Sequence, residues 1–316
     1  RLMKRKIKGL VMKGQDFLVT THIDPDGDAI GSAFAFAFAL QSLGKKAAVY
    51  LSDQVPYRYN FLPAPRVTHT MPRDGFDAVF VLDCGSLFRI GKGHEDVASG
   101  KPLVNIDHHD TNDYFGTINY VDNTASSTGE ILYRLLKYLK VRIDKNIADN
   151  IYTAVFTDTG SLRYENTSLN AYKTCEEMVK AGANPSQIAT MVYENHPKGR
   201  FLLLGEVLRT LATYNGTVAM VHVTGDMFEK TGTTSEFVDG FVEFIKEIGG
   251  IEVAVLMREI RKDLYKISMR GKGKVDVAAV CSMFGGGGHR NAAGCRIEGA
   301  LEEARERLLK ALGTVQ

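Results

Sequence analysis

Short, almost continuously apolar runs recur through the first half of the chain and predict β-strands. Four of them cover residues 16–21, 47–51, 77–83 and 102–107. Apolar runs of this length, without polar alternation, are typical of parallel strands that are covered on both faces. Helical stretches separate the runs, and this β-α-β order favours a doubly wound α/β domain with a mainly parallel sheet.

One segment, residues 32–44, is ambiguous, because Ala and Phe alternate along it as they would in a strand. We predict a helix there instead. The segment is 13 residues long, is rich in Ala, ends at Gly44 and has to return the chain to a parallel strand. Further helices are predicted over residues 126–140, 145–157 and 168–181.

The second half of the chain has a different pattern. Pro197 opens a predicted connecting helix. After it we predict strands at 217–223, 251–258 and 264–270 and helices at 236–248 and 301–312. The expected organisation is therefore a larger α/β domain over residues 1–195, a connecting segment over 196–213, and a smaller α/β domain with a mixed sheet over 214–316.

Composition and charge exclude some classes of protein. Hydrophobic residues make up 44% and charged residues 24% of the chain, as in soluble globular proteins, and the net charge of +2 indicates no particular partner. No apolar stretch reaches the roughly 18 residues that a membrane span needs. The four cysteines include no C-x-x-C pair, and we interpret them as reduced thiols of a cytoplasmic protein. The basic N-terminus predicts a solvated first helix.

Residue types that bind metals follow three of the predicted strands. The first strand is followed by His22, Asp24, Asp26 and Asp28, the third by Asp83, and the fourth by Asp107, His108 and His109. Because ligands bind outside the carboxyl ends of strands in open parallel sheets, we expect these side chains to face one crevice. Carboxylates gathered in this way need a cation, and with imidazoles they suit Mn²⁺ or Mg²⁺. A pair of such ions is the usual device for hydrolysing phosphate esters.

Each of these motifs also has an ordinary structural interpretation. The Asp-Pro-Asp-Gly-Asp sequence at residues 24–28 is typical of a turn, although it lacks the downstream Glu of an EF-hand. A single Asp after a strand is often a cap, and a His-His pair often lies on the surface or in a core. Their joint placement on successive strand ends favours the metal site.

Five motifs, in order, resemble those of the DHH phosphoesterase superfamily. They are HIDPDGDAIGS, VLDCGS, NIDHHDTN and TDTGSLRY in the first half of the chain, and FGGGGHRNAAG near its end. The last is similar to the signature of the DHH-associated C-terminal domain. The length and the absence of extra domains resemble the nanoRNase and pAp-phosphatase branch, rather than RecJ exonucleases or membrane-anchored cyclic-di-AMP phosphodiesterases.

The resemblance implies two divalent ions, with Mn²⁺ preferred and Mg²⁺ as the alternative. It assigns His22, Asp26 and Asp83 to one ion, and Asp28, Asp83, His108 and Asp158 to the other. Asp83 would bridge the two ions, which together lower the pKa of the water that attacks phosphorus. His109 would contact the phosphate or protonate the leaving oxygen, and Asp107 would orient an imidazole or simply cap its strand.

Positive charge is concentrated in the second domain. Residues 255–296 contain nine Lys or Arg and three acidic residues, where a solvated basic face is the ordinary interpretation. The glycine run at 285–288 lets backbone N–H groups approach an anion closely. The resemblance implies substrate contacts from Gly286, Gly287, Gly288, His289, Arg290, Arg258 and Arg270, with Ser268 as a weaker candidate.

Two segments of the first domain have open roles. Residues 126–128 form a helix N-cap, with a phosphate contact as the alternative. Arg163 and Tyr164 either flank the substrate cleft or have a structural role.

The expected function is hydrolysis of short RNA oligonucleotides, removal of the 3′-phosphate of pAp, or both. Hydrolysis of pApA or cyclic-di-AMP is the alternative; pyrophosphate is less favoured, because family II pyrophosphatases end in a different, Lys-rich motif. A non-catalytic nucleotide-binding module is disfavoured by the complete ligand set. A binder of long single strands is disfavoured because the basic segment contains only Tyr265 and Phe284 as aromatic residues. No membrane or obligatory protein partner is indicated, and a homodimer is left open.

Overall fold

The computed structural model describes residues 2–72, 75–97 and 100–314. They divide into two compact units, Arg1–Asn195 and His196–Gln316. The outer ends of the predicted domains, residue 1 and residues 315–316, lie outside the described ranges. Each unit is built on its own six-stranded sheet.

The sheet of the first unit is entirely parallel. Its strands are β1 (Asp16–Thr20), β2 (Lys46–Tyr50), β3 (Val67–Thr68), β4 (Ala78–Leu82), β5 (Leu103–Asp107) and β6 (Ile118–Val121). They lie in the order β3-β2-β1-β4-β5-β6, and every neighbouring pair runs in the same direction. The chain leaves β1 toward β2 on one side and later returns to β4 on the other. Such a reversal opens a crevice at the carboxyl ends of β1 and β4.

Most of the helices pack on one face of this sheet, whereas a four-residue helix, a 3₁₀ turn at Leu87–Ile90 and loop residues cover the other face. The helices are α1 (Leu2–Lys13), α2 (Gly27–Ser42), α3 (His94–Val97), α4 (Thr128–Leu139), α5 (Lys145–Asp158), α6 (Leu169–Lys180) and α7 (Pro185–Tyr193). The ambiguous Ala-Phe segment is helical, as predicted, within α2. Nearly all of α2 is buried, so its apolar residues need not follow a single helical face.

The helix at the N-terminus forms where it was expected, but it is not wholly solvated. Ile7 and Val11 on α1 are fully buried in the core of the first unit. Arg5 and Lys6 on the same helix are exposed, and the Lys4 ammonium lies 5.7 Å from the centre of the Tyr120 ring. The basic pattern therefore describes only the outer face of α1.

The second unit has a mixed sheet. Its strands are β7 (Ala212–Tyr214), β8 (Val218–Val223), β9 (Val253–Arg261), β10 (Leu264–Gly271), β11 (Gly287–His289) and β12 (Ala292–Glu298). The order is β11-β12-β10-β9-β8-β7, in which only the β8–β9 pair is parallel. The helices are α8 (Lys198–Leu208), α9 (Gly225–Thr231), α10 (Phe241–Lys246), α11 (Val277–Ser282) and α12 (Leu301–Thr314). The two sheets confirm the predicted fold class.

Two predicted helices are wrong in extent. The connecting helix predicted over 196–213 ends with α8 at Leu208, and the chain continues into β7. The helix predicted over 236–248 is a short 3₁₀ turn at Ser235–Val238 followed by α10. Gly240 separates the two pieces because its φ of 85° lies in the left-handed region.

No helix in the described part of the chain is long and apolar enough to cross a membrane.

Candidate metal centre

The loop after β1 brings the first predicted ligands to the start of α2. Asp26 caps this helix, and its Oδ1 accepts hydrogen bonds from the backbone N–H groups of Asp28 (3.1 Å) and Ala29 (3.0 Å). A Cβ on Gly27 would lie 2.3 Å from Oγ1 of Thr157. Only glycine therefore lets the first turn of α2 come this close to the end of α5.

The orientation of the His22 ring suits a metal ligand. Its Nδ1 lies 2.7 Å from the carbonyl oxygen of Ile23, so the neutral ring donates a hydrogen bond through that nitrogen. Nε2 then carries the lone pair, and it lies 3.5 Å from Oδ2 of Asp83.

Asp83 lies between two groups of candidate ligands. It follows β4 in a left-handed conformation with a φ of 55°, which Asp tolerates better than most residues. Its Oδ2 faces His22, whereas its Oδ1 lies 3.6 Å from Nε2 of His108. One carboxylate thus presents a separate oxygen to each side of the site.

The second group surrounds His108. Nε2 of His108 lies 3.7 Å from Oδ2 of Asp28 and 3.5 Å from Oδ2 of Asp158, the last residue of α5. These distances are too long for hydrogen bonds, and two ligands bound to one ion at about 2.1 Å are naturally separated by a similar gap. Candidate ligand atoms in each of two triads lie within 4.8 Å of one another; the triads are His22, Asp26 and Asp83, and Asp28, His108 and Asp158.

The electrostatics of the site fit a cation. Burial, with the charges of the neighbouring carboxylates, raises the pKa of Asp28 well above its usual range. Burial likewise raises the pKa of Asp158 to about 7, in spite of nearby His108. Burial also disfavours a charge on Asp83, but the neighbouring histidines hold the pKa of Asp83 below its usual range. Carboxylates crowded in this way ionise together only beside added positive charge, which divalent ions supply.

Asp107 contacts His109 directly. Its Oδ1 accepts a hydrogen bond of 2.7 Å from Nδ1 of His109, and its Oδ2 accepts one of 2.6 Å from the side-chain amide of Asn112. Burial of the imidazole opposes its charge, but the hydrogen bond from Asp107 prevails and raises the pKa of His109 to about 9. Asn112 is not among the predicted residues, although it closes the NIDHHDTN motif.

The start of α4 also meets the ligands. Ser127 caps the helix as predicted, with its side chain accepting a hydrogen bond from a backbone N–H in the first turn. The N–H groups of Thr128 and Gly129 do not point at open space for a phosphate. They donate to the two carboxylate oxygens of Asp28, at 2.7 and 2.9 Å. The Thr128 hydroxyl donates to Oδ1 of Asp83 at 3.0 Å.

The contacts of Arg163 and Tyr164 favour their structural interpretation. Nε of Arg163 donates to the carbonyl oxygen of Gly160 at 2.8 Å. The Tyr164 ring covers the same glycine, where a Cβ would lie 2.3 Å from the ring.

In the second unit, the glycine run forms a tight backbone contact with β12. A Cβ on Gly286 would lie 2.2 Å from the carbonyl oxygen of Gly294, and one on Gly288 would lie 2.5 Å from that of Ala292. Gly286 and Gly288 are therefore required by the packing of the glycine run against β12. Gly287, by contrast, has open space around it, with nothing within 4 Å of an added Cβ.

Cationic side chains form two rows across this sheet. Arg258, Lys266 and Arg296 are direct cross-strand neighbours on β9, β10 and β12. Four residues along, His289 and Arg270 both lie opposite Ala292, so they share one face with the first row. Lys266 and Arg296 are not among the predicted residues.

Two of the predicted substrate residues are engaged in other ways. Nε of Arg270 donates to Oε1 of Glu243 at 2.8 Å. Arg290 lies in the turn between β11 and β12, and its guanidinium donates to the carbonyl oxygen of Gly273 at 3.2 Å. Arg290 therefore stands outside the two rows.

Comparison with known proteins identifies the family. The model of the DHH family, N-terminal domain, matches residues 16–155, and that of the DHHA1 domain matches residues 214–315. A Thermus thermophilus protein named "Bifunctional oligoribonuclease and PAP phosphatase NrnA" is 33% identical over 300 residues, which cover 93% of this chain and 88% of that protein. This chain belongs to the DHH family. The predicted resemblance is thus confirmed.

Two further proteins are similar to this chain over nearly all of its length. A Bacillus subtilis protein with the same name is 25% identical over 93% of each chain. The solved structure of an exopolyphosphatase-related protein from Bacteroides fragilis superimposes with a TM-score of 0.90 at 27% identity, covering 99% of this chain and 96% of that one. The match to the DHH model ends three residues before Asp158, and in the structure that carboxylate lies in one group with Asp28 and His108.

Proposed function

We propose that this DHH-family chain is a phosphoesterase that hydrolyses short RNA oligonucleotides and removes the 3′-phosphate of pAp. The observation that carries the proposal is the position of Asp83, whose two oxygens face two different groups of candidate ligands. The proposed ligands are His22, Asp26 and Asp83 for one ion, and Asp28, Asp83, His108 and Asp158 for the other. A bound pair of divalent ions supplies an activated water and neutralises charge on the phosphoryl group.

The charges of the proposed ligands suit an anionic substrate. The ligand set contains four carboxylates, whose formal charge equals that of two divalent ions in magnitude. A phosphate therefore enters a site that is close to neutral. We propose Mn²⁺ as the ion, with Mg²⁺ as the alternative, because mixed carboxylate and imidazole ligands suit Mn²⁺.

His109 is the proposed proton donor to the leaving oxygen. Asp107 holds its Nδ1 edge at 2.7 Å, and Asn112 holds Asp107 in turn. A ring fixed by these two side chains presents its opposite edge in one orientation, as proton transfer to a departing oxygen requires.

The DHHA1 domain is the proposed source of substrate preference. The row of Arg258, Lys266 and Arg296 places three cationic side chains next to one another on one face of the sheet. Phosphate groups of a substrate with several negative charges would interact favourably with such a row. This supports oligonucleotides and bisphosphorylated nucleotides over singly charged esters. The names of the Thermus and Bacillus relatives point to the same two substrates.

A hydrolysis panel tests the proposal. Protein freed of metal by a chelator and supplied with Mn²⁺ would be given pAp, RNA of two to five nucleotides, pApA, cyclic-di-AMP and pyrophosphate. We expect mononucleotides from the short RNA, and AMP with inorganic phosphate from pAp. Selective hydrolysis of pyrophosphate or of cyclic-di-AMP would contradict the proposed substrates. Undiminished activity in the presence of chelator would contradict the metal centre.

A cytoplasmic location belongs to the same proposal, in keeping with four buried cysteines that form no disulfide.

A further inference from the structure

The first residue of α4 contacts two of the proposed metal ligands at once. Thr128 is fully buried, its backbone N–H lies 2.7 Å from Oδ2 of Asp28, and its hydroxyl lies 3.0 Å from Oδ1 of Asp83. We infer that Thr128 is a positioning residue, which aligns a ligand of the second ion and the bridging ligand with each other. This inference rests on the ligand set of the proposed function.

The N-terminus of α4 donates hydrogen bonds to both carboxylate oxygens of Asp28. Thr128 and Gly129 each donate a backbone N–H to a different oxygen, and the Ser32 hydroxyl adds a third hydrogen bond of 2.9 Å. The first N–H groups of a helix have no partner within the helix, and the helix dipole favours a negative charge there. Asp28 is therefore fixed in orientation by two backbone donors that cannot rotate away, with the Ser32 hydroxyl as a third donor.

Gly129 allows this close approach. A Cβ on Gly129 would lie 2.6 Å from that of Ala154 on α5 and 3.5 Å from Oδ1 of Asp28. The first turn of α4 is thus pressed against the helix that ends in Asp158. Thr128 and its neighbour occupy a position set by packing, before any ion binds.

The Thr128 hydroxyl acts on the other carboxylate. It donates to Oδ1 of Asp83, the oxygen that faces His108, and leaves Oδ2 toward His22. A donor bound to one oxygen of a carboxylate restricts rotation of the whole group. Threonine suits the task, because its branched Cβ restricts the hydroxyl to few rotamers. Partners that orient metal ligands in this way typically contribute about 10–100-fold to metal affinity.

Two substitutions test the role of the Thr128 hydroxyl without disturbing the fold. Thr128→Val keeps the side-chain shape and the backbone N–H bond to Asp28, but removes the donor to Asp83. Thr128→Ser restores that donor. The matched control is Thr153→Val, because the buried Thr153 hydroxyl donates only to the backbone carbonyl oxygen of Asp149 among the contacts described.

Mn²⁺ binding by calorimetry to the chelator-treated chain is the main readout. We expect Thr128→Val to weaken Mn²⁺ binding about 10–100-fold, Thr128→Ser to return within a few-fold of wild type, and Thr153→Val to match wild type. For pAp hydrolysis, raising Mn²⁺ should recover much of the lost kcat of Thr128→Val, while its KM for pAp stays unchanged.

The outcomes separate this inference from the proposed function. Wild-type Mn²⁺ affinity in Thr128→Val would overturn the positioning role, as would a loss that Thr153→Val shares or that Thr128→Ser does not repair. A wild-type chain that binds no Mn²⁺ would refute the metal centre itself, and the inference with it. Normal Mn²⁺ binding with the expected differences among the variants, but no hydrolysis of pAp or short RNA, would refute only the proposed substrates.

Discussion

Replacing Asp83 with Asn should remove the charge that both proposed ions share. Asn is the informative substitution, because it keeps the size of the side chain and tolerates the left-handed φ of 55° at this position. The two Asp83 oxygens lie 3.5 and 3.6 Å from the Nε2 atoms of His22 and His108, so the change affects both groups.

The expected loss of metal affinity can be estimated from the charge that the substitution removes. Two opposite unit charges about 4 Å apart interact by roughly 4 kcal/mol in a partly solvated site, and this is a lower bound for a carboxylate that binds a divalent ion directly. If the Asn oxygen and relaxation recover half of this, about 2 kcal/mol is lost for each ion, which is more than tenfold in affinity. Because hydrolysis uses both ions, turnover at limiting Mn²⁺ falls with the product of the two occupancies, by at least about 100-fold.

Metal content and turnover would be measured on the same samples. Desalted Asp83→Asn protein should retain less than one Mn²⁺ per chain, and its pAp hydrolysis should rise steeply with added Mn²⁺. Asp149→Asn is the matched control, since the Asp149 carboxylate pairs with Lys145 in the body of α5. Loss of a single ion with the other bound normally would refute the bridging role, and unchanged binding of both would refute the ligand assignment.

Three further substitutions test separate parts of the molecule. His109→Ala should lower kcat for pAp about 100-fold or more while calorimetric Mn²⁺ binding stays within a few-fold of wild type. Gly27→Ala places a Cβ 2.3 Å from a threonine hydroxyl of α5 and should lower the free energy of unfolding, measured with denaturant, by about 1–3 kcal/mol. The control Gly9→Ala, whose Cβ would have nothing within 4 Å, should stabilise the protein slightly. Lys266→Ala should raise KM for RNA of four or five nucleotides several-fold and weaken its salt dependence, unlike Lys262→Ala at the exposed β9–β10 turn.

Each of the three has a contradicting result. Loss of Mn²⁺ binding in His109→Ala would make that histidine a metal ligand rather than a proton donor. An unfolding free energy of Gly27→Ala equal to that of Gly9→Ala would mean that α2 and α5 do not meet as described. Equal KM changes in the two lysine variants would remove the cationic row from substrate binding.

The first domain was predictable because its elements depend on local sequence. A parallel strand buried on both faces needs a continuous apolar run, and four such runs predicted β1, β2, β4 and β5 to within one or two residues. Strand ends then determine where the side chains that follow them lie. The convergence of His22, Asp83 and His108 follows from that rule together with the strand order.

Parts of the second domain were missed because their strands depend on partners. Half of the residues in β11 and β12 are Gly or Ala, which have low strand propensity. These strands form because β10 supplies a hydrogen-bonding edge to β12, and β12 supplies one to β11. The β7–β8 hairpin is different, since Asn215–Gly216 between the two strands is a recognisable turn signal, and the helix predicted up to residue 213 covered the positions of β7. The cationic row depends on strand register, which the apolar pattern alone does not define.

The rest of the site depends on contacts between residues that are far apart in the sequence, and local patterns do not indicate such contacts. Thr128 and Asp28 are separated by 100 positions, and neither the N-cap signal nor the HIDPDGDAIGS motif indicates that they meet. Asn112 was missed for a different reason, because an amide near a His-His pair has many ordinary roles.

Three glycines let the backbones of α2, α4 and α5 approach one another closely. They are Gly27 beside Thr157, Gly31 beside Asn150, and Gly129 beside Ala154. A Cβ added to Gly31, for example, would lie 2.4 Å from the carbonyl oxygen of Asn150. The proposed ligands come from segments as far apart as His22 and Asp158, so only a chain with these helices docked can offer them together. An ion that binds the native chain and not the unfolded one shifts the folding equilibrium, by about 2.7 kcal/mol at a concentration 100 times its Kd. The supply of divalent metal would then govern how long the protein survives heat and proteases, as well as how fast it works.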